Sequence, residues 1–152
     1  MKGANFQRIG SPSNTHVGNA FEAEALAFFA TQGIVLSPGH SVPVGINNHG
    51  KKDHKFDLGS TNPHILVECK SHTWTESGNM PSAKITVWNE AMYYFHASPE
   101  KYRKILFVLK DSHAKKRETL AAYYLRTAAH LIPEKVEIWE YDPTSKNAQR
   151  IN

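Results

Sequence analysis

The chain is poor in the features that usually assign a protein at sight. Cys69 is the one cysteine in 152 residues, which excludes an internal disulfide and points to a reducing, cytoplasmic setting. No run approaches the roughly 18 apolar residues of a membrane-spanning helix, and the first residues show no apolar signal segment. A membrane partner is therefore not expected. Charge of one sign does not dominate: 18 Lys and Arg stand against 14 Asp and Glu, a net charge of +4. So small a surplus suits a nucleic-acid partner and plain solubility equally well. Repeats and low-complexity tracts are absent. The nine histidines are scattered, with no H-E-x-x-H or comparable metal-binding group.

What is present organises into alternating helices and strands. The length suits one domain with its own core. Residues 1–16, with Gly10, Ser11, Pro12, Ser13 and Asn14 in a row, read as a flexible arm, 17–142 as the domain and 143–152 as a polar tail. Phe21, Ala25, Phe28 and Phe29 recur at helical spacing over 17–31, and Gly33 supplies the stop. Residues 34–44 are extended, with Pro38 and Pro43 marking an edge or irregular strand. A turn or mobile loop over 45–53 leads to two short strands, 55–59 and 65–71, joined by Ser60, Thr61, Asn62 and Pro63. After a long loop, 72–81, Ser82 caps a second helix whose Ile85, Trp88, Met92 and Phe95 form one stripe. A strand over 104–110, a helix over 114–131 and a strand over 136–141 complete the order α-β-β-β-α-β-α-β. That order predicts an α/β fold with a mixed sheet flanked by helices.

The stretch HILVECKS, residues 64–71, carries the chemistry. Leu66, Glu68 and Lys70 point to one face of the strand, and Ile65, Val67 and Cys69 to the other. Apolar residues on both faces mark an interior strand, so its charges must emerge where the sheet meets a cleft. Asp57 interrupts Phe56 and Leu58 in the preceding strand, and the short turn makes the two strands antiparallel neighbours. Asp57 and Glu68 are thus expected at one end of the sheet, with Lys70 beside them. Two adjacent carboxylates repel unless a cation lies between them. Oxygen ligands of this kind suit Mg²⁺, kept partly hydrated and shared with a phosphate. Glu22 falls inside the apolar stripe of the first helix, where an acid is costly without a partner. Glu24 lies at the edge of that stripe and reads as a solvated residue. An ordinary surface role for Glu22 remains equally open.

Asp57, ten further residues and then Glu68-Cys69-Lys70 resemble the D-(x)n-E-x-K signature of the PD-(D/E)XK nuclease superfamily, the restriction-endonuclease-like fold. GNAFEAEALAFFATQG, residues 18–33, is similar to the helix that opens many of its members, with Glu22 matching the acidic residue and Gly33 closing it. The order α-β-β-β-α-β over 17–110 is also that superfamily's core. Phe56 replaces the proline that precedes the aspartate in the signature. The resemblance implies a Mg²⁺-dependent DNA endonuclease, Mn²⁺ substituting, that leaves a 5′-phosphate and a 3′-hydroxyl. Asp57 and Glu68 would hold the metal with the Cys69 backbone carbonyl. Lys70 would orient the attacking water and neutralise charge on the phosphate, and Glu22 would bind a metal through water or support its ligands.

Competing readings exist for several of these residues. Asp57, Glu68 and Lys70 as a structural ion-pair network is disfavoured, because burying three charges for stability alone is unprofitable. GINNHGKK, residues 45–52, nearly matches a P-loop, but Lys52 stands where the Mg²⁺-binding hydroxyl belongs and no strand-loop-helix setting surrounds it. Cys69 and His72 form a C-x-x-H pair without a second pair at zinc spacing. The loop after Lys70 must rim the same cleft. Its Trp74 either stacks on a base, closes the cleft or anchors the loop in the core, and these stay open. Lys84, in the first turn of the next helix, is a candidate phosphate contact, with plain solvent exposure as the alternative. Tyr93 and Tyr94 read as core or interface residues. Lys101, Arg103 and Lys104, and separately Lys115, Lys116 and Arg117, are candidate phosphate-tracking groups. Cutting both strands of a duplex needs two sites, so a homodimer is an open expectation. The alternatives to a nuclease are a nucleic-acid-binding module of the same fold with little or no catalysis, and an interaction protein with a chance motif.

Overall fold

The computed structural model describes residues 14–152. The fold is mixed α/β: a six-stranded sheet in the order β1-β2-β3-β4-β5-β6 and three helices. The elements are α1 (Asn14–Thr31), β1 (Ser37–Val44), β2 (Lys52–Thr61), β3 (His64–Lys70), α2 (Ser82–Ala97), β4 (Arg103–Leu109), α3 (Leu120–Ala128), β5 (Val136–Asp142) and β6 (Asn147–Arg150), with a 3₁₀ turn at Ala129–Leu131. Residues 1–13 of the expected arm lie outside the described residues, and the remainder of that arm is the first turn of α1.

β1, β2 and β3 form an antiparallel meander; β3, β4 and β5 are parallel, and β6 returns antiparallel on β5. Parallel neighbours need crossovers, and α2 and α3 provide them. α1 covers one face of the sheet, where Phe21, Ala25, Phe28 and Phe29 pack on Leu58, Ile65, Val67, Ile105, Phe107 and Tyr141. α2 and α3 cover the other, where Ile85, Trp88, Met92, Phe95 and Tyr124 pack on Phe56, Leu66, Leu106, Val108 and Ile138. β4 is buried on both faces, which is why KILFVL reads as a continuous apolar run. Gly33 ends α1 in a left-handed conformation (φ 76°), with its amide on the Ala30 carbonyl and the Ile34 amide on the Phe29 carbonyl.

Four expectations are corrected. Ser82 opens α2 as a helical residue; Pro81 occupies the cap position and no side chain caps the end. The helix expected from residue 114 begins at Leu120, because Thr119 Oγ1 accepts the Ala122 amide and caps it there. The expected polar tail contains β6, an exposed edge strand whose composition gives no apolar alternation to read. The basic group Lys101, Arg103 and Lys104 is not a free patch. Arg103 is held by Glu137 at 2.8 Å, and Lys104 is buried with its amine towards the Ser98 carbonyl. Ile65 pairs with Arg103 and Lys70 with Val108, so this group lies at the opposite end of β3 from Lys70.

Candidate active site

The site forms where β2 and β3 part. Their ladder runs from Thr61–His64 only as far as Leu58–Val67. One residue further on, the Asp57 carboxylate replaces backbone pairing: its Oδ2 accepts the Cys69 amide at 2.8 Å. Phe56 packs in the α2-side core and Leu58 in the α1-side core, so the in–out alternation of β2 slips at Asp57. The opposing position on β1 is Gly39, left-handed at φ 64°, and its register neighbours Pro38 and His40 pair with Leu58 and Phe56. A turn out of the pleat there re-aims Asp57 towards the strand end.

On β3 the alternation holds. Cys69 packs on the α1 side with Val67, while Leu66 faces α2. Glu68 is buried, and Lys70 Nζ lies 3.0 Å from its Oε2. Burial is the largest influence on Glu68, opposed by Lys70 and reinforced by Asp57; together they lift its pKa to about 7. Asp57 therefore lies near enough to Glu68 to act on its charge, and both stand where β2 and β3 part. Burial works against the charge on Lys70, but Glu68 and Asp57 outweigh it and raise its pKa. Burial, Asp57, Glu22 and Glu68 together push the Cys69 thiol far up, so it stays protonated.

Glu22 reaches this end of the sheet from α1. It is half-buried, and its pKa is raised first by burial and then by Asp57, against Lys70 and Lys55. Glu24 is committed elsewhere: it accepts the Tyr141 hydroxyl and faces Lys146 at 3.7 Å. That pairing differs from the solvated role expected for Glu24. Trp74 is 3% exposed. Its amide donates to Asp111 Oδ2 at 2.8 Å, and its ring meets Tyr123 edge-on and Lys116 from above. It anchors the 72–81 loop, which removes it as a base-stacking candidate. Lys84 is exposed on α2. Cys69 and His72 leave β3 on opposite faces, which removes the C-x-x-H pair.

His54 belongs to the site and was not singled out in the sequence. Its Nε2 lies 3.7 Å from Glu68 Oε1, is buried and has no hydrogen-bond partner among the described residues. The ring stacks on Tyr94 of α2 at 3.6 Å and meets the edge of Phe56. Burial lowers its pKa. The available signal was its place two residues before Phe56, on the same face of β2. Beside it opens a cleft of about 370 Å³ lined by Val44, Lys52, Asp53, His54, Lys55 and Tyr94.

Among the described residues, no three His, Cys, Asp or Glu side chains converge as a metal-binding group. The donor set that is present fits a different kind of site. Asp57 and Glu68 each keep one oxygen uncommitted by Cys69 and Lys70, and a hydrated Mg²⁺ is commonly held by one or two carboxylates with waters completing its shell.

Metal-free stability should carry the mark of Glu68. Its folded pKa, about 7, lies above the ordinary value of 4.5, so the folded chain keeps a proton that the unfolded chain has released. The stabilisation is full below the lower value and is lost as pH rises through the upper one. Urea unfolding in EDTA should therefore show the parent losing about 1 kcal/mol more than Glu68→Gln between about pH 6 and about pH 8.5. Equal slopes in the two proteins would mean that Glu68 ionises normally.

No protein-family model matches the chain, and no curated protein or solved structure matches it either. No described helix is long and apolar enough to cross a membrane.

Proposed function

We propose that the protein is a metal-dependent DNA endonuclease of the PD-(D/E)XK type, with a restriction-endonuclease-like core. The observation that carries this reading is the place of Asp57, Glu68 and Lys70 at a break in the sheet, where Asp57 Oδ2 takes the Cys69 amide at 2.8 Å and the Lys70 amine lies 3.0 Å from Glu68. Asp57, Glu68 and the Cys69 carbonyl would hold Mg²⁺ or Mn²⁺. The cation, when bound, polarises the scissile phosphate and makes a water more acidic. Lys70 orients that water and offsets charge developing on the phosphate. The Glu68 and Asp57 carboxylates outweigh its burial and keep it protonated, and therefore a donor, throughout the physiological range. Glu22 supports the cluster from α1 by hydrogen-bonding water around the metal. Breaking both strands of a duplex would take two copies of this site.

The test is incubation with plasmid and branched DNA. Cutting is expected with Mg²⁺ or Mn²⁺, with 5′-phosphate and 3′-hydroxyl ends, and EDTA should stop it. Ca²⁺ should bind and support little turnover, because its larger and looser shell holds water and phosphate less tightly in place. Lys70→Ala should retain metal binding by calorimetry and lose about 10²–10³-fold in rate. DNA binding without cutting under any metal would favour the second reading, a nucleic-acid-binding module of the same fold.

A further inference from the structure

The face of β3 that carries Glu68 and Lys70 continues beyond the end of the strand. His72 follows by the same two-residue step and turns under α2, where the Trp88 indole Nε1–H donates to its Nδ1 at 2.8 Å. An indole nitrogen only donates, so Nδ1 must accept and the proton of the neutral ring sits on Nε2. Trp88 is fully buried and its ring packs edge-on against Tyr124 at 5.1 Å. The tautomer is therefore held by the core. Burial, then the nearby cations Lys70 and Lys84, hold the imidazole pKa down at about 4, so the ring is neutral at working pH. Among the described residues nothing accepts from Nε2, and it is not among the buried unpaired atoms. His72 is only half-buried. Lys70 and His72 thus present donors two residues apart on one face, with Lys84 near enough to act on the His72 charge, and donors of this kind are the chemistry an anionic oxygen requires.

We propose that Lys70, His72 and Lys84 form a phosphate-binding subsite beside the Asp57–Glu68 pair, in which His72 Nε2–H is a positioning donor to a non-bridging phosphate oxygen of the substrate strand. The subsite takes its ligand class, a nucleic-acid phosphodiester, from the nuclease reading. Its geometry is independent of that reading. A neutral donor suits the position: it fixes the phosphate relative to Lys70 without adding a third cation to a crowded corner.

The experiment separates binding from cutting by working in EDTA, with inorganic phosphate and a short single-stranded oligodeoxynucleotide as probes. In the parent, ¹⁵N NMR of the His72 ring should show a protonated Nε2 and a bare Nδ1, and both probes should shift the Nε2–H resonance. His72→Ala should weaken oligonucleotide binding about tenfold. His72→Gln, whose amide nitrogen reaches the Nε2 position, should recover most of the loss, which a merely structural role would not. Trp88→Phe should lower the Nε2-protonated fraction. A still Nε2–H resonance, or a ring protonated on Nδ1, overturns the subsite whether or not the protein cuts DNA. A moving resonance and weakened His72→Ala binding in a protein that never cuts would uphold the subsite and end the nuclease reading. If His72→Ala fails to fold, the titration of the parent decides.

Discussion

Glu68→Gln should remove the proposed DNA cleavage and leave the protein folded. Glutamine keeps an oxygen for the Lys70 amine, now 3.0 Å from Glu68 Oε2, and removes the charge that would hold the metal. Groups that only support metal ligands typically cost 10–100-fold when removed, so loss of a ligand should cost at least about a hundredfold in rate. Asp57→Ala should cost as much. It also frees the Cys69 amide, to which Asp57 Oδ2 is bonded at 2.8 Å, so part of its effect is local rearrangement of the β2–β3 fork. Glu68→Ala is a harsher probe than Glu68→Gln, because it strands a buried ammonium whose nearest anion has gone. The fold should therefore tolerate the glutamine better than the alanine. Rates on plasmid DNA, with circular dichroism as the check on folding, decide the matter. Glu68→Gln that cuts as well as the parent would place the activity in a contaminant or another site, and the binding-module reading would take over.

Phe107→Ala should destabilise the protein by about 3–5 kcal/mol, the usual cost of deleting a buried aromatic ring. Phe107 is fully buried in the central strand β4 and meets Phe21, Phe28, Phe29 and Tyr141 with ring centroids 5.3–5.7 Å apart. Three of those partners belong to α1, so the substitution loosens the helix that brings Glu22 to the site. Urea unfolding should show the loss directly, and the metal-free pKa of Glu22 should fall back towards its ordinary value, 4.5, as burial and Asp57 release it. A loss below about 1 kcal/mol would mean that α1 is not held to the sheet through this ring.

The pairing of Asp57 with Glu68 could be anticipated from the chain because two local rules sufficed. A turn of a few residues forces antiparallel neighbours, and a period of two assigns faces. The slip at Asp57 could not be read, because it depends on a competition: a side-chain oxygen takes the Cys69 amide that backbone pairing would otherwise use. The helix expected from residue 114 failed for a related reason. Lys115, Lys116, Arg117 and Glu118 are good helix formers, but Thr119 Oγ1 both accepts the Ala122 amide and donates to Glu140 on β5, which fixes the start of α3 by a contact 21 residues away. Trp74 was ambiguous because an aromatic ring in a long loop fits a lid and an anchor alike; Asp111, 37 residues on, decided for the anchor.

By itself the sequence determined the element order from α1 to β5, the apolar faces of α1 and α2, the buried strand β4 and the placing of Asp57, Glu68 and Lys70 at one end of the sheet. Those follow from periodicity and short turns, which act over a few residues. Tertiary structure alone decided which cations stand apart from Lys70, since parallel pairing of β3 with β4 puts Arg103 and Lys104 at the far end of the strand. It also decided what His54 and His72 meet, because the stacking of one on Tyr94 and the bond of the other to Trp88 form only when α2 closes over the sheet. A side chain's face can be counted along a strand, but its neighbour across the cleft is set by where a distant helix lands.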